Sequence, residues 1–158
     1  MSNTARGNVL VAIQFALFAT IALIPRGNAW PLPLPLEIFA IVALAIGGVA
    51  VVAALFALGK SLRVNPVPVA SGELKTTGLY GLVRHPVYSG VLIGAAGYAV
   101  LSRSWFVVAA VLALFLLLSI KARFEERLLA KQYPDYPRYA SRVGRFVPGV
   151  GRLPRATA

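Results

Sequence analysis

Cysteine is absent from the 158 residues, and histidine occurs once. The first absence excludes disulfides, cysteine-ligated metals and a thiolate nucleophile supplied by the protein. The single histidine leaves no zinc site built from protein ligands alone, so no metal is expected. Charge is scarce too: 13% of residues are Asp, Glu, Lys or Arg, while 58% fall in the AVILMFWYC class, far from the make-up of a soluble domain. The little charge present is lopsided, with 16 Lys and Arg against 5 Asp and Glu, a net +11. An excess of that sign can serve nucleic acid. Here the basic residues avoid the apolar runs and gather in two segments, which points to membrane topology and anionic lipid, with no nucleic-acid partner.

Charged residues are missing from four stretches, Glu37 at the start of the second excepted, and together they predict an all-α, multi-pass membrane protein of about four transmembrane helices in a single domain, residues 1–158. The first, VLVAIQFALFATIALI at 9–24, reaches about 24 Å as a helix, slightly less than a bilayer core of about 30 Å. PRGNAWPLPLP behind it is a poor cleavage site, so the run reads as a retained span rather than a signal peptide. Prolines keep residues 25–35 extended. The second span, 36–58, carries Gly47 and Gly48 at its middle, where missing side chains let a second helix approach closely. Spans three and four, 87–101 and 105–120, are separated only by SRS and predict a tight helical hairpin.

Counting basic residues orients the bundle. With the amino terminus inside, fourteen of the sixteen fall on that face, and only Arg26 and Arg103 on the other. The expectation is a protein integral to the cytoplasmic membrane with both termini cytoplasmic. Two polar clusters then share the inner boundary, at residues 60–90 and 121–148. Asn65-Pro66 and Pro68 break structure in the first, and Gly72 and Gly78 permit turns. The second reads as a helix continuing from the fourth span to about Lys131.

Both clusters admit a bland reading. Arg84 can snorkel to headgroups, His85 before Pro86 can bond a helix end, and the tyrosines at 80, 88, 133, 136 and 139 can anchor the interface. Glu125 and Glu126, being consecutive, point about 100° apart on a helix. One therefore faces inward while the other pairs with an arginine such as Arg84. Together, glutamates, aromatic faces and arginine beside a membrane can accommodate a cation, an adenine and a carboxylate, while an apolar co-substrate enters from the bilayer.

NPVPVASGELKTTGLYGLVRHPVYSG, residues 65–90, and EERLLAKQYPDYPRYASRVGRFVP, residues 125–148, resemble the isoprenylcysteine carboxyl methyltransferase and phospholipid methyltransferase superfamily of small integral membrane enzymes. Shared features are the Asn-Pro, Leu-x-x-x-Gly-x-Tyr and Arg-His-Pro-x-Tyr-x-Gly of the first segment. The second supplies the double glutamate, paired tyrosines and terminal Phe-x-Pro. With the hairpin between them this covers about half the chain. The resemblance implies S-adenosylmethionine as methyl donor, with His85, Tyr88, Gly90, Glu125, Glu126 and Tyr136 as cofactor-binding residues. It further implies Arg84, His85 and Glu125 as catalytic residues, Arg84 lying near the cofactor carboxylate or an anionic acceptor. Pro134 stands where the family often has glycine, and four spans are fewer than several members have.

The expected partners are membrane lipids and a lipidic or prenylated small-molecule acceptor. A carboxylate acceptor is ionised at neutral pH and needs no base, whereas an ammonium must first lose a proton. The absence of an obvious buried base favours a carboxylate or thiolate acceptor over a phospholipid amine; the expectation is an isoprenylcysteine-carboxyl-type O-methyl transfer, with N- or S-methylation of a phospholipid or other small lipid as the alternative. Membrane sterol reductases, which use a nicotinamide, resemble the superfamily in their carboxy-terminal half but have a larger membrane core. A small exporter is the non-enzymatic alternative; it needs an ionisable group within a span, and only Glu37 comes near.

Overall fold

A computed structural model describes residues 2–59, 65, 67 and 74–154. Lys60, Arg63, Pro66, Pro68, Gly72 and Arg155, all used in the sequence reading, lie outside the described residues, as does most of the 60–73 part of the first polar cluster. Six helices occur among the described residues: α1 (Asn3–Leu23), α2 (Leu34–Leu58), α3 (Leu79–Leu82), α4 (Pro86–Ser102), α5 (Trp105–Gln132) and α6 (Tyr136–Ala140). Three of them, α1, α2 and α5, are long and apolar enough to cross a membrane; α4, at 17 residues, is an apolar helix just short of that length. The protein is thus an all-α, multi-pass membrane bundle with a short carboxy-terminal helix. Each span runs longer than its apolar stretch, because polar residues extend helices into the interface. Ser2 starts α1 by accepting the Ala5 amide, and α5 continues unbroken for 28 residues from the fourth span into the polar extension.

Helix α4 packs along α2, α5 packs on both α1 and α4, and the Ile21–Ala99–Val107–Leu114–Leu118 cluster fills the middle. The α2–α4 contact is built on small residues. Buried Ala40, Gly47 and Ala54 recur every seven positions on α2, facing Gly90, Gly94 and Gly97 on α4. A heptad seam of this kind keeps one helix stripe against its partner. At Gly47 a Cβ would lie 2.4 Å from the Gly94 amide nitrogen and 2.6 Å from the Gly90 carbonyl oxygen, so any side chain forces the helices apart. Gly48, expected to share this role, faces open space.

The two hairpin ends meet on one side. The Gly27 and Ala29 amides donate to the Ser102 and Arg103 carbonyls, and Arg103 Nε donates to the Trp30 carbonyl. Arg103 turns the chain in the left-handed region at φ 52°, joining α4 to α5 through two residues. At the opposite end Asn65 donates to the Thr4 carbonyl and to Asn8. That end also holds the start of α4 and the end of α5, so both polar clusters share it.

Candidate functional site

Pro86 opens α4 and keeps the residue before it out of the helix, so Val83, Arg84 and His85 lead non-helically into its first turn. The carboxy-terminal segment pairs with them, through an isolated parallel bridge between Val83 and Gly144. Arg84 and His85 amides donate to the Gly144 and Arg145 carbonyls at 2.8 and 3.1 Å, and Ser89 Oγ donates to the Phe146 carbonyl at 2.7 Å. Gly144 lets the tail turn tightly on itself, since a Cβ there would collide with the Val147 carbonyl oxygen and the Gly149 amide. Both polar clusters therefore form one structure.

Arg84 is its centre, with a side chain only 1% exposed. Nε and Nη2 donate to Glu126 Oε1 at 3.0 and 2.9 Å. Nη1 donates to the Ala140 and Val143 carbonyls at 2.9 and 2.6 Å, and Nη2 also to the Gly151 carbonyl at 2.9 Å. Those five bonds use the whole donor set of a guanidinium. All of these donors are committed to α5, α6 and the tail. Arg145 completes the pair, donating from Nε and Nη2 to the two Glu126 oxygens at 2.9 and 2.7 Å. Its bond to Glu126 holds the Arg145 guanidinium above its usual range. Glu126 is thus the glutamate that pairs with arginine, and its buried charge is met by two cations.

Glu125, one residue earlier, points into a cavity of about 270 Å³ walled by α1, α2, α4 and α5. Its carboxylate is 28% exposed, and Oε2 accepts the Tyr88 hydroxyl at 2.9 Å. His85 stacks parallel on Tyr88, ring centres 5.2 Å apart, with Nε2 3.2 Å from Glu126 Oε1 and Nδ1 3.7 Å from Glu125 Oε2. The imidazole therefore sits between two carboxylates. Tyr80 closes the rim; its phenol is pushed well up by burial and then by the Glu125 charge, so it stays protonated.

Tyr136 is 1% exposed, its ring edge-on to Tyr139, and its hydroxyl has no hydrogen-bond partner among the described residues. Burial, then the Glu126 charge, hold that phenol neutral. Gly90 lies in the α2–α4 seam, where a Cβ would be 2.8 Å from the Gly47 carbonyl oxygen, so helix packing dictates the glycine. Of the expected site residues, the structure gathers Arg84, His85, Tyr88, Glu125 and Glu126 around one cluster.

Two cavity residues escaped the sequence reading. Lys121 is 2% exposed, donates to Gln14 Oε1 of α1 at 2.7 Å, and lies over the Tyr88 ring at 5.4 Å. Among the described residues it has no ion-pair partner. Gln14, an amide inside the first apolar run, was the available signal, because such a group in a span needs a polar partner. A second hollow of about 630 Å³ adjoins the cavity through Phe18, Val51 and Val91; its lining, including Leu44, Gly48 and Tyr98, is almost wholly apolar.

A cavity that gathers Glu125, Lys121, Arg84 and His85 at one end of a membrane bundle adjoins an almost wholly apolar groove, an arrangement suited to a membrane enzyme. Residues 36–136 match the phospholipid methyltransferase family, and the chain belongs to that family. The chemistry of that family is S-adenosylmethionine-dependent methyl transfer to lipidic acceptors. An 80-residue stretch is 39% identical to the nickel-cobalt-cadmium resistance protein NccN of Alcaligenes xylosoxydans xylosoxydans. Over 80 residues it is 40% identical to the cobalt-zinc-cadmium resistance protein CzcN of Cupriavidus metallidurans. Each match spans 49% of this chain and 37% of the relative.

Proposed function

We propose that the chain transfers a methyl group from S-adenosylmethionine to the head of a lipidic acceptor, in the manner of an isoprenylcysteine carboxyl O-methyltransferase, with both termini in the cytoplasm. The observation that carries this reading is the continuity of the Glu125–Tyr88–Lys121 cavity with the apolar groove. A head and a tail of opposite polarity fit the two parts.

The residues present suit the donor. Glu125 offers a carboxylate, and Phe15, Phe18, Tyr80 and Tyr88 offer aromatic surface, which together attract a cation bearing an aromatic base. When bound, the donor supplies a methyl on a sulfonium whose leaving group is a neutral thioether. The chain's part is orientation and exclusion of water. Tyr88 fixes the Glu125 carboxylate, His85 supports Tyr88 by stacking, and Glu126 with its two arginines holds His85 in place. Lys121, poised by Gln14, presents its ammonium to an anionic oxygen, and no proton need be moved for a carboxylate. Both inner-face termini follow from the concentration of basic residues there.

Reconstituted protein incubated with methyl-labelled S-adenosylmethionine and a panel of acceptors tests the proposal. We expect label in a prenylated cysteine carboxylate, reduced in Glu125→Gln. Label confined to phosphatidylethanolamine would replace the carboxylate with an amine. No label in any lipid, from protein of native helicity, overturns the reading.

A further inference from the structure

The α1–α5 pair carries a third cavity, of about 420 Å³, that shares no lining residue with the site above. It is lined by Arg6, Val9 and Leu10 of α1 and by Ile120, Arg123, Phe124 and Arg127 of α5. On each helix these positions follow a single stripe, at spacings of three and four. The helices run antiparallel: Gln14 meets Lys121, and Arg6 lies beside Arg127. Polarity nevertheless grades the same way on both. Arg6 stands toward the terminal side of Val9 and Leu10, and Arg127 and Arg123 stand toward the same side of Ile120. A cationic rim therefore caps an apolar floor at the inner membrane boundary.

The charge has no counterpart in the protein. No acidic side chain lines the cavity, all three arginines are exposed, and among the described residues none forms an ion pair. Three unneutralised guanidinium groups in one cleft repel each other, and a shared anion removes that repulsion. Guanidinium groups bind phosphate through paired hydrogen bonds. Val9 and Ile120, 48% and 56% exposed, offer a surface suited to hydrocarbon chain directly below.

We propose that this cleft is a binding site for one anionic phospholipid, its phosphate held by Arg6, Arg123 and Arg127 and an acyl chain lying on Val9, Leu10, Ile120 and Phe124. Bound there, the lipid bridges α1 to α5 on a face that does not include Lys121. The site stands whatever reaction the inner cavity performs.

Native mass spectrometry of the full chain in detergent, with equimolar phosphatidylglycerol and phosphatidylcholine, measures it. The wild type should retain one phosphatidylglycerol at least about 10-fold more tightly than phosphatidylcholine. At about 5-fold per arginine, the triple variant R6Q/R123Q/R127Q should lose about 100-fold in phosphatidylglycerol affinity. Its charge-matched control, K131Q/R138Q/R142Q, removes three other exposed basic residues and should stay within about 3-fold of the wild type. Arg6→Gln alone should lose about 5-fold, which protects the test from a triple variant that fails to fold. Equal losses in the two triples would show diffuse attraction and overturn the site. Equal retention of phosphatidylcholine, or competition by chain-free glycerol phosphate at the same concentration as the lipid, would overturn it as well.

Discussion

Replacing Arg84 with lysine keeps the charge and removes the fork. The native guanidinium makes five bonds, two to Glu126 and one each to the Ala140, Val143 and Gly151 carbonyls. An ammonium has three donors diverging from one atom, so at least two of those bonds are lost and at least one of the four acceptors is left without its partner. At about 1.5–3 kcal/mol for each charge-assisted bond, the change removes about 3–6 kcal/mol from the contact between the tail and the bundle. Because α2 and α4 pack elsewhere through their small-residue seam, the loss should appear as local opening rather than global unfolding. Hydrogen exchange reads it directly. The amides of His85, Arg145 and Leu153, bonded to the carbonyls of Arg145, Val150 and Ala140, should exchange about 100-fold or more faster in Arg84→Lys. Amides of α2 and α4 around Gly47 and Gly94 should not change. Unaltered exchange at the three tail-contact amides would refute the claim that this guanidinium fastens the tail.

The helix seam makes a separate prediction. Gly47→Leu should destabilise the reconstituted protein by about 1–3 kcal/mol, read as a lowered thermal transition, because even its Cβ meets backbone atoms of α4. Alkaline titration followed by tyrosinate absorbance should show Tyr80, Tyr136 and Tyr139 ionising late, Tyr139 at about 12. Burial is the main cause in each case. Since the unfolded phenols ionise near 10, these residues contribute stability that is intact below about pH 10 and is lost as pH rises toward and through the folded values. Lys121→Met should cut kcat/KM for a carboxylate acceptor by about 10- to 100-fold in a methyl-transfer assay, with little effect on a neutral acceptor of the same chain.

The apolar helices were legible because apolar run length is a direct physical requirement of the bilayer, whereas their ends were less so: α1 begins at Asn3, six residues before its apolar run. The division of labour between Glu125 and Glu126 was legible in part. Adjacent residues on a helix must face apart, but which of them turns inward depends on the rotation of α5. That rotation is set by burial of Leu118, Lys121 and Ala122, a tertiary fact. The pairing of Arg84 with a glutamate was legible, but its other contacts were not, for a similar reason. Its acceptors are carbonyls at 140, 143 and 151 in a segment without periodicity, and no local pattern announces that the chain folds back there. Gly47 and Gly48 were indistinguishable in sequence; only the packing angle decides that one is crowded and the other open. Lys121 was lost among the basic residues that set topology, although Gln14, alone among amides in the first span, marked where its partner would be.

Gly48 supplies the most direct measurement of the central claim. It lines the apolar groove and has nothing within 4 Å of a Cβ, so Gly48→Phe fills the groove without disturbing the seam. The measured quantity is methyl transfer to a prenylated carboxylate by reconstituted wild-type and variant protein, beside calorimetric binding of S-adenosylmethionine to each. The account predicts that the variant binds the donor as the wild type does and loses at least about 10-fold in kcat/KM for the lipidic acceptor. Undiminished transfer with the groove filled would contradict it.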